Sequence, residues 1–164
     1  MKRLIGTLFL LLAVIAPAWA DTMSGIVIVV VDGDTILFKP DSYLAASRAF
    51  LKIRLANIDA PEKDQSYGEA ATRALSELVL HQRVEVTTVA IDVYGRTIAR
   101  IQQDAVQVNT ELVRRGMAWA STYRRNAELN AVQREAQQAP RGLWQEVAPV
   151  PPWVWRREHS AVAY

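Results

Sequence analysis

Two turn signals restrict what this chain can become. Asp32-Gly33 stands between a β-branched run at 24–31 and the run 35–38, and Asp92-Val-Tyr-Gly95 stands between 83–89 and 96–102. Asp-Gly and Gly-containing turns between alternating runs of this length predict two antiparallel hairpins. A further alternating run, 50–55, follows a polar stretch at 39–49 that reads as a loop. Between the hairpins, Ala71, Ala74, Leu75, Leu78 and Val79 recur at helical spacing, so a helix is expected over 67–82. Asn109 reads as the N-cap of a second helix closed by Gly116. A third is expected over 126–138, with Leu129, Val132 and Ala136 on one face and Pro140 and Gly142 beyond it. Five strands, one helix among them and two after them predict an α+β domain, a small mostly antiparallel barrel carrying three helices. There is no internal repeat.

The first twenty residues stand outside that plan. Lys2 and Arg3 precede an apolar run at 4–16, then Pro17 and Ala18-Trp19-Ala20. This is the pattern of a secretory signal cleaved after Ala20, its apolar run short for a membrane span. The expected location is the periplasm or the medium, with no lasting membrane association. The chain has no Cys, so neither a lipoprotein anchor nor a disulfide framework is in play. Residues 21–148 are expected to be the domain and 149–164 a Pro/Trp/Arg tail without periodic signal. Without the leader, Lys and Arg number 17 against 17 Asp and Glu, so bulk charge makes no case for nucleic acid. The arginines are nevertheless skewed: residues 112–164 carry eight basic and four acidic groups.

Chemistry concentrates where strands end. Asp34 follows the first turn, Arg54 ends the third strand, Asp59 and Glu62 flank Ala60-Pro61, and Arg96 opens the fifth strand. Carboxylate oxygens suit a hard divalent cation, and guanidinium forks suit a phosphate bidentately. Together they point to phosphodiester hydrolysis. An EF-hand fails, because counting from Asp32 the sixth and twelfth positions are Leu37 and Tyr43. His81 and His159 stand alone and form no zinc set.

Six motifs in order carry a resemblance: Asp-Gly-Asp-Thr at 32–35, Arg-Leu-x-x-Ile-Asp-x-Pro-Glu at 54–62, Tyr-Gly-x-x-Ala at 67–71, Asp-x-Tyr-Gly-Arg at 92–96, Asn-x-x-Leu-Val-x-x-Gly at 109–116 and Gly-Leu-Trp at 142–144. The chain resembles the staphylococcal nuclease (thermonuclease) family over most of 25–144. The resemblance implies an OB-type five-stranded barrel and three helices. It implies a Ca2+ ion held by Asp34, Asp59 and the Ala60 backbone carbonyl, and a catalytic set of Arg54, Glu62 and Arg96. It further implies endonuclease cleavage of DNA and RNA with low base specificity and 3′-phosphate ends, by a monomer. Glu62 is the expected general base and the two arginines the expected clamps on the phosphoryl oxygens. Tyr94 and Tyr123 are the candidates for substrate contact, although the spacing to Tyr123 is shifted and Val93 replaces a basic residue usual in the family.

Two other readings compete. A non-catalytic OB module would bind nucleic acid or protein without needing the base or both arginines. A hydrolase of small phosphate esters would need a closed pocket in place of a groove. For Trp119, Trp144, Trp153 and Trp155, packing is the better expectation than base stacking. For each of Arg114, Arg115, Arg124, Arg125, Arg156 and Arg157, a solvated surface charge is the better expectation than a phosphate contact.

Overall fold

The computed structural model describes residues 21–41, 50–123 and 126–159. The expected leader, residues 42–49 of the expected loop, and Arg124 and Arg125 lie outside the described residues. Strands β1 (Thr22–Asp32) and β2 (Thr35–Pro40) form the first hairpin, Asp32 pairing with Thr35 across Gly33-Asp34. β3 (Leu51–Leu55) pairs with β2, while β5 (Arg83–Ile91) pairs with β1 and with β6 (Thr97–Gln103). The circuit β3-β2-β1-β5-β6 closes where β3 meets β6 in parallel, with Ile53 opposite Thr97, Arg54 opposite Ile98 and Leu55 opposite Ala99. This is the five-stranded, OB-like barrel, and closure leaves none of its five strands with an open edge. Alternation puts Val27, Ile36, Phe38, Ile53, Val84, Val86 and Ile101 inside, all at most 1 % exposed.

Helix α1 (Gly68–Val79) seals the barrel with Ala71, Leu75 and Val79, and α2 (Val108–Arg114) with Val108, Leu112 and Val113. Helix α3 (Ala127–Gln138) adds Leu129 and Val132, its N-cap Asn126 accepting from the Leu129 N–H at 3.1 Å. Two minimal strands, β4 (Ile58–Asp59) and β8 (Trp119–Ala120), pair with each other. A third short strand, β7 (Val106–Gln107), pairs antiparallel with the end of β6. None of these three is long enough to show a period in sequence.

Two expectations are corrected. Asn109 is not the N-cap of α2, which is Gln107. It lies inside the first turn and sends its side chain into the barrel, accepting from Ile101 N–H at 3.0 Å and donating to Ala56 and Ala99 carbonyls at 2.9 and 3.2 Å. Satisfying backbone groups left over at the β3–β6 closure outweighs a local cap. Among the described residues there are four α-helices rather than three. The fourth, α4 (Pro152–His159), lies in the tail that showed no period, because eight residues hold too few turns to display one. Gly116 does stand just past α2 at φ +66°, the left-handed conformation expected of a C′ glycine.

Two glycines set the site's geometry. A Cβ on Gly33 would stand 2.7 Å from the Ala60 Cβ and 2.8 Å from that of Ala71, so only glycine lets the first turn lie against the Asp59-Ala60 segment. At the start of α1, a Cβ on Gly68 would strike the Glu62 carbonyl oxygen, and glycine lets the helix begin directly behind Glu62.

Candidate active site

Asp34 and Asp59 come from different parts of the chain and meet on one guanidinium. Arg54, at the end of β3, donates through Nη1 to Asp34 Oδ1 at 2.6 Å and through Nη2 to Asp59 Oδ1 at 2.7 Å. Both carboxylates are buried, at 3 % and 6 % exposure. Asp34 also accepts from Thr35 Oγ1 at 3.2 Å and, on Oδ2, from the Ala60 N–H at 3.0 Å. The Asp34 turn is shaped from within, its own N–H donating to Asp32 Oδ1 at 3.0 Å.

Burial pushes the Asp34 carboxyl up to about 7, against the pull of Arg54 and the Ala60 N–H and with help from Asp32 and Asp59. Its negative charge is therefore under-compensated by the groups around it. Burial works against the charge on Arg54, yet Asp34 and Asp59 hold that guanidinium above the ordinary arginine value. Among the described residues no three carboxylate or imidazole side chains meet closely enough to cage a cation unaided.

Glu62 joins through a second arginine. Arg156, from α4, donates to Asp59 Oδ2 at 2.6 Å, to Asp59 Oδ1 at 3.2 Å and to Glu62 Oε1 at 2.6 Å. Those bonds raise its pKa, the bond to Asp59 most. Asp34 and Asp59 thus share the Arg54 guanidinium, and Asp59 and Glu62 share that of Arg156. Gln65 supports the Glu62 segment, its Oε1 accepting from the Glu62 N–H at 3.1 Å.

Arg96 is not part of that bonded cluster. It stands just before β6 and is tied to its own turn: Nε donates to Asp92 Oδ2 at 2.6 Å, and the guanidinium lies 5.6 Å from the centre of the Tyr94 ring. Asp92 Oδ1 also accepts from the N–H groups of Tyr94 and Arg96, at 3.0 and 2.9 Å. Burial opposes ionisation of Asp92, but these bonds from Arg96 and Tyr94 hold its pKa below the usual carboxylate value. Asp92 and Val93 of the turn line a cleft of about 470 Å3 together with Arg54, Asp59, Ile98 and Tyr123 among others, while Asp34, Glu62 and Arg96 are not among its lining residues. Tyr123, 91 % exposed, stands at that cleft, whereas Tyr94 is exposed on the turn and does not line it. A larger surface hollow of about 630 Å3 lies along Lys63–Arg73 and contains none of the expected site residues.

The residue that sequence reasoning missed is Arg156, expected in solvent. Its signal was the run Pro151-Pro152-Trp153-Val-Trp155-Arg156: a proline fits the first helical position, and Trp153 and Arg156 are spaced to share a helix face. The tryptophans pack as expected, Trp119 meeting Trp144 and Trp153 edge-on with ring centres 4.3 and 5.6 Å apart, and Trp155 stacks on His159 at 3.8 Å.

The family described as staphylococcal nuclease homologue matches residues 52–146. A protein of Escherichia coli O157:H7 named an uncharacterized endonuclease is 42 % identical over 142 residues, covering 85 % of this chain and 89 % of that one. A micrococcal nuclease of Shigella flexneri is 36 % identical over 158 residues, 89 % of this chain and 87 % of that one. An uncharacterized endonuclease of Haemophilus influenzae is 34 % identical over 160 residues, 97 % and 87 % of the two chains.

Proposed function

The chain belongs to the staphylococcal nuclease homologue family, and from that membership we propose that it is an exported, Ca2+-dependent endonuclease. It hydrolyses phosphodiester bonds of DNA and RNA with little base specificity, leaves 3′-phosphate ends and works as a monomer in the periplasm or outside the cell. The observation that carries this reading is the Arg54 fork, which joins Asp34 to Asp59 beside a cleft lined also by Asp92 and Tyr123.

The donor set fits Ca2+. Asp34 and Asp59 are hard carboxylates brought to one point, and the charge on Asp34 is under-compensated by the groups around it. Asp34, Asp59 and the Ala60 carbonyl would hold the ion, with solvent completing a shell of six to eight oxygens. Bound there, Ca2+ supplies Lewis-acid stabilisation of charge on the phosphoryl oxygens.

The remaining work belongs to the chain. Glu62 accepts the proton of the attacking water, its Oε1 fixed by Arg156. Arg54 and Arg96 direct N–H groups at the non-bridging oxygens, where charge grows as the fifth bond to phosphorus forms, so they favour the transition state over the ground state. To do so Arg96 exchanges its bond to Asp92 for one to phosphate. Tyr94 and Tyr123 offer exposed rings to the flanking nucleotides.

Digestion of supercoiled plasmid and of RNA by the purified protein tests the reading. Nicking of the plasmid and degradation of the RNA are expected with Ca2+, and neither after chelation. Cleavage that survives the chelator rejects the cation's role. Binding without cleavage under every divalent ion tried returns the chain to the binding-module reading.

A further inference from the structure

Helix α4 is docked on the segment that carries Glu62. Gln65 Nε2 donates to the Val150 carbonyl at 2.5 Å while its Oε1 holds the Glu62 N–H, so one amide side chain spans the base segment and the tail. Ser66 donates to Glu146, and Trp153 packs edge-on against Trp119, which pairs through β8 with the strand bearing Asp59. Trp155 and Pro61 line the same small hollow. Arg156 follows Trp153 by one helical turn, so the packing that seats the tryptophan also delivers the guanidinium.

At that position Arg156 solves a problem created by the site itself. Asp59 Oδ1 and Glu62 Oε1 both accept from its Nη1, at 3.2 and 2.6 Å, and two carboxylates so close repel each other. The guanidinium is planar and donates along fixed directions, so it sets the angle between the two carboxylates as well as screening them. Its side chain is 41 % exposed, so it reaches the cluster from the solvent side, at the rim rather than from the core.

Resting on the roles given to Asp59 and Glu62 above, we infer that Arg156 is a positioning residue of the active site, which aligns Glu62 against Asp59 and makes the C-terminal helix a working part of the catalytic apparatus. The helix brings the alignment from 94 residues away in sequence. Among the described residues Glu62 is otherwise held only through its backbone by Gln65 of its own segment, and a carboxylate free to turn away from the attacking water loses rate without losing substrate.

Arg156→Ala and Arg156→Lys in the full chain test this. For Arg156→Ala, kcat should fall about a hundredfold, the scale of a small misplacement of a reacting group. KM for DNA should stay within about threefold, because the group lost is not a ground-state contact. Free guanidinium ion should restore part of the rate. Arg156→Lys should fall between wild type and Arg156→Ala, keeping the charge without the fork. Without any cation or substrate, amide hydrogen exchange across residues 60–66 should quicken in Arg156→Ala while the barrel strands stay protected.

A wild-type or faster kcat in Arg156→Ala overturns the inference, and so does a loss confined to KM, which would make Arg156 a phosphate contact. Loss with the whole barrel deprotected and no rescue by guanidinium overturns it as well. If Arg156→Ala does not fold, Arg156→Lys decides: normal kcat there counts against positioning. An inactive wild-type chain would instead sink the nuclease reading itself.

Discussion

Arg54 and Arg96, expected as a pair, live in opposite circumstances. Arg54 is held by two buried carboxylates that arrive from separate turns, whereas Arg96 answers to a carboxylate four residues away in its own exposed turn. The first arginine is part of the frame; the second is parked beside it. Arg54 and its two carboxylates are therefore fixed by the barrel, whereas Arg96 rests on one carboxylate of its own turn, which under the proposed function a phosphate would have to displace. Arg54 lies within β3, and Arg96 in the turn that leads into β6.

The contrast can be broken by mutation. Glu62→Gln, on the fixed side, should cost about a thousandfold in kcat and leave oligonucleotide binding near normal; kinetics with a labelled duplex and a binding titration decide, and near-normal turnover removes Glu62 as the base. Arg54→Ala should abolish cleavage and also destabilise the fold by about 3 kcal/mol, since it strands two buried carboxylates. Denaturant unfolding checks it, and an unchanged midpoint would mean the fixed side is not fixed by that fork.

Arg96→Lys should lower kcat by about a hundredfold, through loss of the bidentate geometry, while unfolding stays within about 0.5 kcal/mol of wild type. An effect on KM alone would recast Arg96 as a ground-state contact. The smallest effect is expected at Tyr123→Ala, a roughly tenfold rise in KM with kcat preserved, from one lost stacking surface. Equal losses for Arg54 and Arg96 in both rate and stability would erase the distinction between them.

What the sequence made legible follows the same division. Strands β1, β2, β3, β5 and β6 announce themselves by alternation, and the residues at their ends are those that approach the cleft. Asp34, Arg54 and Asp59 could be read because each sits beside a turn whose chemistry is local. The parallel pairing of β3 with β6 could not, since no local pattern encodes which distant strand closes a barrel. Asn109 was misread because the same residue serves as a cap or as a buried bridge, and only the unsatisfied groups of Ala56, Ala99 and Ile101 decide. Arg156 was hidden for a related reason: a guanidinium in a short tail looks like any surface charge until the tryptophan that seats it has found its partner.

The parallel β3–β6 pairing has one more consequence. Arg54 and Arg96 flank that seam, and Asn109 is stitched into it from α2. Their separation is therefore set by a pairing between strands more than forty residues apart in the chain, so a change that loosens the seam is felt at both arginines at once.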